Sequence, residues 1–131
     1  VVPQVDLLDE VFVAAAPARV RAYTARPEVH SALWPALTVT VVQERGDEGQ
    51  RYAVAGAWRG SAELWLERCL DGVLVHSYLR IDPAAPVPAR RLRAEARRRR
   101  AHGKRELWRI KDALEAGRPA GEPVRSAGPL A

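Results

Sequence analysis

Two apolar runs between Ala62 and Asp82 flank the dipeptide Asp71-Gly72, and no other segment constrains the fold as tightly. An Asp-Gly pair between such runs is the strongest short-range signal for a two-residue hairpin turn. A turn there sets the register. One face pairs Leu70 with Val73, Leu66 with Ser77, Leu64 with Leu79 and Ala62 with Ile81. The other pairs Glu67 with His76, Trp65 with Tyr78 and Glu63 with Arg80. The first face is apolar, while the second carries an aromatic pair between complementary charges, each cross-strand pair contributing roughly 0.2–1 kcal/mol. A one-residue slip would turn every side chain over, so the pattern itself guards the pairing.

A sheet with one apolar face must be covered. The cover comes after the prolines at 83, 86 and 88. From Ala89 to about Ala116 there is no proline, and Ala, Arg, Glu, Leu and Lys, all good helix formers, dominate. Such a helix is roughly 40 Å long at 1.5 Å per residue. Leu92, Ala96, Gly103, Leu107, Ile110 and Leu114 fall near one stripe of it. Gly117 suits its C-cap and Pro119 follows. Residues 118–131, rich in Pro, Gly and Ala, read as a flexible tail behind a single domain over 1–117.

The first half supplies the remaining elements. Residues 5–13 end in a β-branched and aromatic run and read as a strand. Pro17 and Pro27 each suit the first position of a short helix, the first reaching about Ala25 and the second ending near Trp34-Pro35. Leu37–Glu44 and Arg51–Trp58 read as strands joined by a turn over Gly46–Gly49. The expected architecture is α+β: about five curved antiparallel strands around a long C-terminal helix, with two short helices after strand 1.

At 131 residues and 47% hydrophobic content, the chain is long enough to bury one core. Nothing approaches the roughly 18 apolar residues of a membrane span. The N-terminus carries no signal-like segment, and one cysteine, Cys69, permits no internal disulfide. A cytoplasmic protein is expected. The net charge of +5 is uneven: residues 1–89 hold 8 Arg against 11 acids, and residues 90–131 hold 13 Lys and Arg against 5. Only two of the 21 basic residues are lysines, as a GC-rich genome would produce.

This order of elements resembles the START-like helix-grip domains of the SRPBCC superfamily, in particular small actinobacterial members that are polyketide cyclase/dehydrase-like or lipid-transfer-like. The resemblance is carried by Glu10-Val-Phe-Val-Ala-Ala-Ala-Pro-Ala-Arg-Val20, Leu33-Trp-Pro-Ala-Leu37 and Trp58-Arg-Gly-Ser-Ala-Glu-Leu-Trp-Leu-Glu67. To these are added Asp71-Gly-Val-Leu-Val-His76, Tyr78-Leu-Arg-Ile-Asp-Pro83 and Lys104-Arg-Glu-Leu-Trp-Arg-Ile-Lys-Asp-Ala-Leu114. The family sheet usually has about seven strands. Here a hairpin is missing between Trp58 and Ala62, which bears on the size of any cavity.

The resemblance implies an apolar cavity between sheet and helix, and with it binding or transport of a polyketide- or lipid-like molecule. Leu64, Leu66, Ser77 and Leu79 face inward by the hairpin register. Tyr52, Val54 and Trp58 share a face of their strand, and Trp34, Leu107 and Trp108 are placed to close the space. Tyr52, Trp58 and Ser77 supply the few polar groups that orient a ligand. The same residues would equally serve as the filled core of a small domain. Catalysis has less to work with, because the inward hairpin positions offer only Ser77 and Arg68. His76 faces outward opposite Glu67, and His30 and His102 lie on separate helices without an evident partner. No metal spacing and no phosphate loop occur, and no cofactor is implied. A polyketide cyclase-like enzyme stays open as an alternative, though no catalytic residue of that family maps onto the chain. So does an interaction protein that binds nucleic acid, an anionic surface or an acidic partner through Arg97–Arg100 and the neighbouring basic residues. The outward pair Trp65 and Tyr78 suggests a homodimer face.

Overall fold

The computed structural model describes residues 2–116. In chain order its elements are β1 (Val5–Val13), α1 (Pro17–Thr24), α2 (Pro27–Leu33), β2 (Thr38–Glu44), a 3-10 turn over Gly46–Glu48, β3 (Gly49–Ala55), β4 (Trp58–Cys69), β5 (Gly72–Pro83) and α3 (Ala89–Glu115). The five strands form one antiparallel open sheet in the order β1-β5-β4-β3-β2. Proline opens both short helices, where its missing N–H would have gone unpaired anyway. The expected cap at Gly117 and the Pro/Gly/Ala-rich tail lie outside the described residues.

The hairpin forms, with a different turn. Leu70 and Asp71 occupy the bend, and Cys69 pairs with Gly72. Every cross-strand pair therefore moves by two residues: Leu66 faces Val75, Leu64 faces Ser77, Ala62 faces Leu79, and Trp65 faces His76. A shift of two preserves the faces, so the apolar side is the expected one although each partner has changed. The reason lies in Gly72. A Cβ on it would stand 2.2 Å from the Val13 carbonyl oxygen and 3.0 Å from the Ala14 Cα, so glycine is required there by the close approach of β1. The bend passes to Leu70, which takes φ +52° and is almost fully exposed.

A second correction concerns Trp58. It does not end β3 beside Val54 but starts β4 after a bend at Gly56, and β4 then runs unbroken to Cys69. Its ring still lies in the core. The core is the inward face of the sheet, built from Val5, Val11 and Val13 of β1, Tyr52 and Val54 of β3, and alternate residues of β4 and β5. The short helices add Val20, Val29 and Leu33, and α3 adds Leu107, Ile110 and Leu114. That helix packs chiefly against β1. It ties down the strand through Lys111 Nζ, which donates to the Phe12 carbonyl at 2.7 Å, and through Glu115, which accepts from the Ala14 N–H at 2.7 Å. In its first half only Glu95 is fully buried, paired within the helix to Arg98 and Arg99.

Candidate functional site

Where α3 crosses β1 and β5, a narrow cleft remains. Leu7, Leu33, Trp34, Leu79 and Leu107 line it, Asp9 and Ser77 form its polar side, and Arg99 and Arg100 flank the mouth. Its free volume is about 30 Å³. Asp9 and Ser77 are cross-strand partners on the inward face. The Asp9 carboxylate accepts the Glu10 N–H at 2.8 Å. Gly103 forms the helix side, and a Cβ there would meet nothing within 4 Å. Mid-helix glycine is destabilising by about 1 kcal/mol relative to alanine, so the helix is weakened at the very position that faces the cleft.

The helix above the cleft is pinned by two bonds to the backbone at the end of α2 and just beyond it. His102 Nε2 donates to the Ala32 carbonyl at 2.6 Å, and Arg99 donates to the Pro35 carbonyl at 3.2 Å.

Beneath Trp34 lies a buried polar chain. His30 Nε2 stands 2.8 Å from the Thr24 carbonyl and 3.0 Å from the Tyr52 hydroxyl, which donates onward to Gln50 Oε1 at 2.9 Å. A carbonyl only accepts, so Nε2 carries the proton. Gln50 in turn donates to Glu44 at 2.6 Å, and Arg21 pairs with that carboxylate at the surface. The rings of His30, Trp34 and Tyr52 pack on one another. Burial holds the His30 imidazole below its ordinary pKa, against the opposing pull of the Thr24 bond and Glu28. Burial also pushes the Tyr52 phenol up.

These shifts set a pH dependence. A histidine held below its usual value of 6.5 takes up protons in the unfolded chain first. Stability is therefore full above about pH 6.5 and falls as pH drops below it, by at most about 1.4 kcal/mol per unit for one group. Urea unfolding of the wild type and His30→Gln at neutral and mildly acidic pH should show the variant losing less on acidification. Equal losses would remove His30 from the account. Tyr52 acts at the other end: above about pH 10 the unfolded chain ionises while the folded phenol does not, and stability falls as pH rises.

The sequence-predicted site residues divide three ways. Trp34, Ser77, Leu79 and Leu107 meet at the cleft. Tyr52, Val54, Trp58, Leu64 and Leu66 point inward but are packed in the core away from it. Trp108 is misplaced: it is 50% exposed on the outer side of α3 and closes nothing. The stripe itself explains why, since Leu107, Ile110 and Leu114 turn inward and the residue after Leu107 is rotated about 100° from it.

Sequence reasoning missed Asp9 and His30. Strict alternation along Val5, Leu7, Val11 and Val13 places Asp9 on the apolar face, a signal that was present. His30 finds Tyr52 only through the tertiary meeting of α2 and β3. On the outer face, His76 lies almost wholly buried between Glu10 (3.0 Å) and Glu67 (3.1 Å) and stacks on Trp65. Tyr78 packs near Arg80 instead of against Trp65, so the expected aromatic pair is not formed.

No family profile and no curated protein matches the sequence. Solved structures do. The Aha1 dimer from Colwellia psychrerythraea aligns with a TM-score of 0.62 at 14% identity, covering 88% of this chain and 99% of that one. TTHA0849 from Thermus thermophilus aligns with a TM-score of 0.53 at 14% identity, covering 82% of this chain and 94% of that one. Among the described residues no helix is long and apolar enough to cross a membrane. The α+β architecture is therefore that of a helix-grip fold, with five strands and a long C-terminal helix.

Proposed function

We propose that the chain binds or transports an apolar small molecule, polyketide- or lipid-like, in the cleft between sheet and α3. The observation that carries this reading is Gly103, a destabilising residue mid-helix whose missing side chain leaves open space over an apolar floor. Asp9 and Ser77 orient the ligand's polar end, the carboxylate accepting from a hydroxyl and the serine donating to a carbonyl.

The cleft's 30 Å³ is room for about two waters, whereas small-molecule pockets span roughly 300–1,000 Å³. Ligand entry thus requires the first half of α3 to lift. That half is lightly held, by His102 and Arg99 on the α2 side and by partly buried Leu92 and Ala96.

Native mass spectrometry after exposure to a lipid-containing lysate tests the proposal. An apolar compound should travel with the folded protein and leave on denaturation. An empty protein whose melting is also unmoved by fatty acids and aromatic polyketides contradicts it. A reducing, cytoplasmic setting accords with the single half-buried Cys69. Self-association through the outward face bearing Trp65 and Tyr78 belongs to the same reading, and sedimentation as a monomer at every concentration would remove it.

A further inference from the structure

The outward side of α3 is a separate feature that the cleft does not use. Along Ala89–Glu115 the helix carries eleven Lys and Arg against four acids, and has no Ser, Thr, Asn, Gln or Tyr. Arg98 and Arg99 pair with Glu95, Arg109 with Glu106, and Lys111 with Glu115. Among the described residues the other seven cations, Arg90, Arg91, Arg93, Arg97, Arg100, Lys104 and Arg105, make no ion pair.

Their placement is directional. Arg90, Arg97, Lys104 and Trp108 follow helical spacing down one side of the helix, about 110° around from the stripe of Leu107, Ile110 and Leu114, with Ala101 and Arg105 beside them, and all are exposed. From Arg90 to Trp108 this row is roughly 27 Å long at 1.5 Å per residue. At its lower end Trp108 lies in an open, mostly carbon-lined depression with Lys104, Arg105 and Arg109 around it and one carboxylate, Asp112, at its edge. An exposed tryptophan is an unusual addition to a solvated arginine face. An indole among mostly cationic neighbours is, however, the arrangement favoured at a lipid–water boundary, where the ring sits at headgroup level and the charges meet phosphates.

We infer that the outward face of α3 docks on an anionic phospholipid surface, with its row of unpaired cations against the headgroups and Trp108 entering the interface. Charge complementarity and the lone exposed indole beside three cations select this occupant. Nucleic acid fits less well, because the helix offers no Asn, Gln, Ser or Thr to read bases and no second aromatic to stack on them. The inference stands apart from the ligand cleft, since none of the row lines it.

Co-sedimentation of the full chain with vesicles tests it. Vesicles of phosphatidylcholine with roughly a quarter phosphatidylglycerol should take up the protein at least about ten-fold more strongly than phosphatidylcholine alone. Raising the salt should reverse the binding, because headgroup attraction is screened. The triple variant Arg97→Glu, Lys104→Glu, Arg105→Glu should lose it, and Trp108→Ala should weaken it several-fold with every cation in place. All four positions are exposed, and unchanged far-UV circular dichroism will confirm that the variants fold. Equal uptake by neutral and anionic vesicles, undiminished binding by the triple variant, or tighter binding to duplex DNA or RNA at equal phosphate concentration would each overturn the inference.

Discussion

Replacing Gly72 by alanine is expected to lower the unfolding free energy by about 2–3 kcal/mol, near the upper end of what overpacking costs. The added Cβ would sit 2.2 Å from the Val13 carbonyl oxygen, 2.8 Å from the Phe12 ring and 3.0 Å from the Ala14 Cα. Two of these three neighbours are backbone and cannot rotate away. The clash falls at the end of the β1–β5 ladder, next to the Val13–Val73 pair. β1 is an edge strand with no other neighbour in the sheet, so only its contacts with α3 resist its retreat. The retreat also disturbs the bonds from Lys111 and Glu115 that fasten α3 to the same strand end. Urea unfolding measures the loss. A change under about 0.5 kcal/mol, the range of an ordinary surface substitution, would mean that the close approach is not as described.

The second large effect separates binding from stability. Gly103→Leu should weaken binding of an apolar ligand at least about ten-fold, or roughly 1.4 kcal/mol, while the fold stays as stable or becomes more so. The side chain enters open space over Leu7, Leu33 and Leu107, where the ligand is proposed to lie. Leucine is also a far better helix former than glycine. Most substitutions that damage a pocket damage the fold with it, so a loss of affinity without a loss of stability is a signature the core reading does not produce. Calorimetric titration alongside thermal melting gives both numbers. Unchanged affinity places the ligand elsewhere.

Most of the architecture is legible from periodicity, because strong local chemistry marks the same boundaries. Pro17 and Pro27 mark both short helices, and β1 and α3 lie within a residue or two of where pattern and helix propensity put them. The hairpin shows the limit of local reasoning. Asp71-Gly72 is a turn signal read in isolation, yet Gly72 answers to β1, a strand nearly sixty residues earlier, and the register follows that contact. Face assignment survived only because the error was two residues and not one. For the site, Leu107, Ser77 and Leu79 were legible from alternation and stripe. Trp108, expected to close the space beside Leu107, is turned out by its own helix phase. The His30–Tyr52 bond joins a helix to a strand across 22 positions, and no spacing rule reports such a pair.

The central claim is that an apolar molecule lodges beneath α3 at Gly103. Backbone and indole resonances of the protein titrated with a co-purifying apolar compound test it most directly, since each signal reports its own place in the fold. The account predicts that the largest shifts occur at Gly103, Ser77, Asp9 and the Trp34 indole, with the amides of the first half of α3 broadening as the helix lifts. Shifts confined to the outer sheet face around Trp65 and Tyr78, or to Trp108, would contradict it.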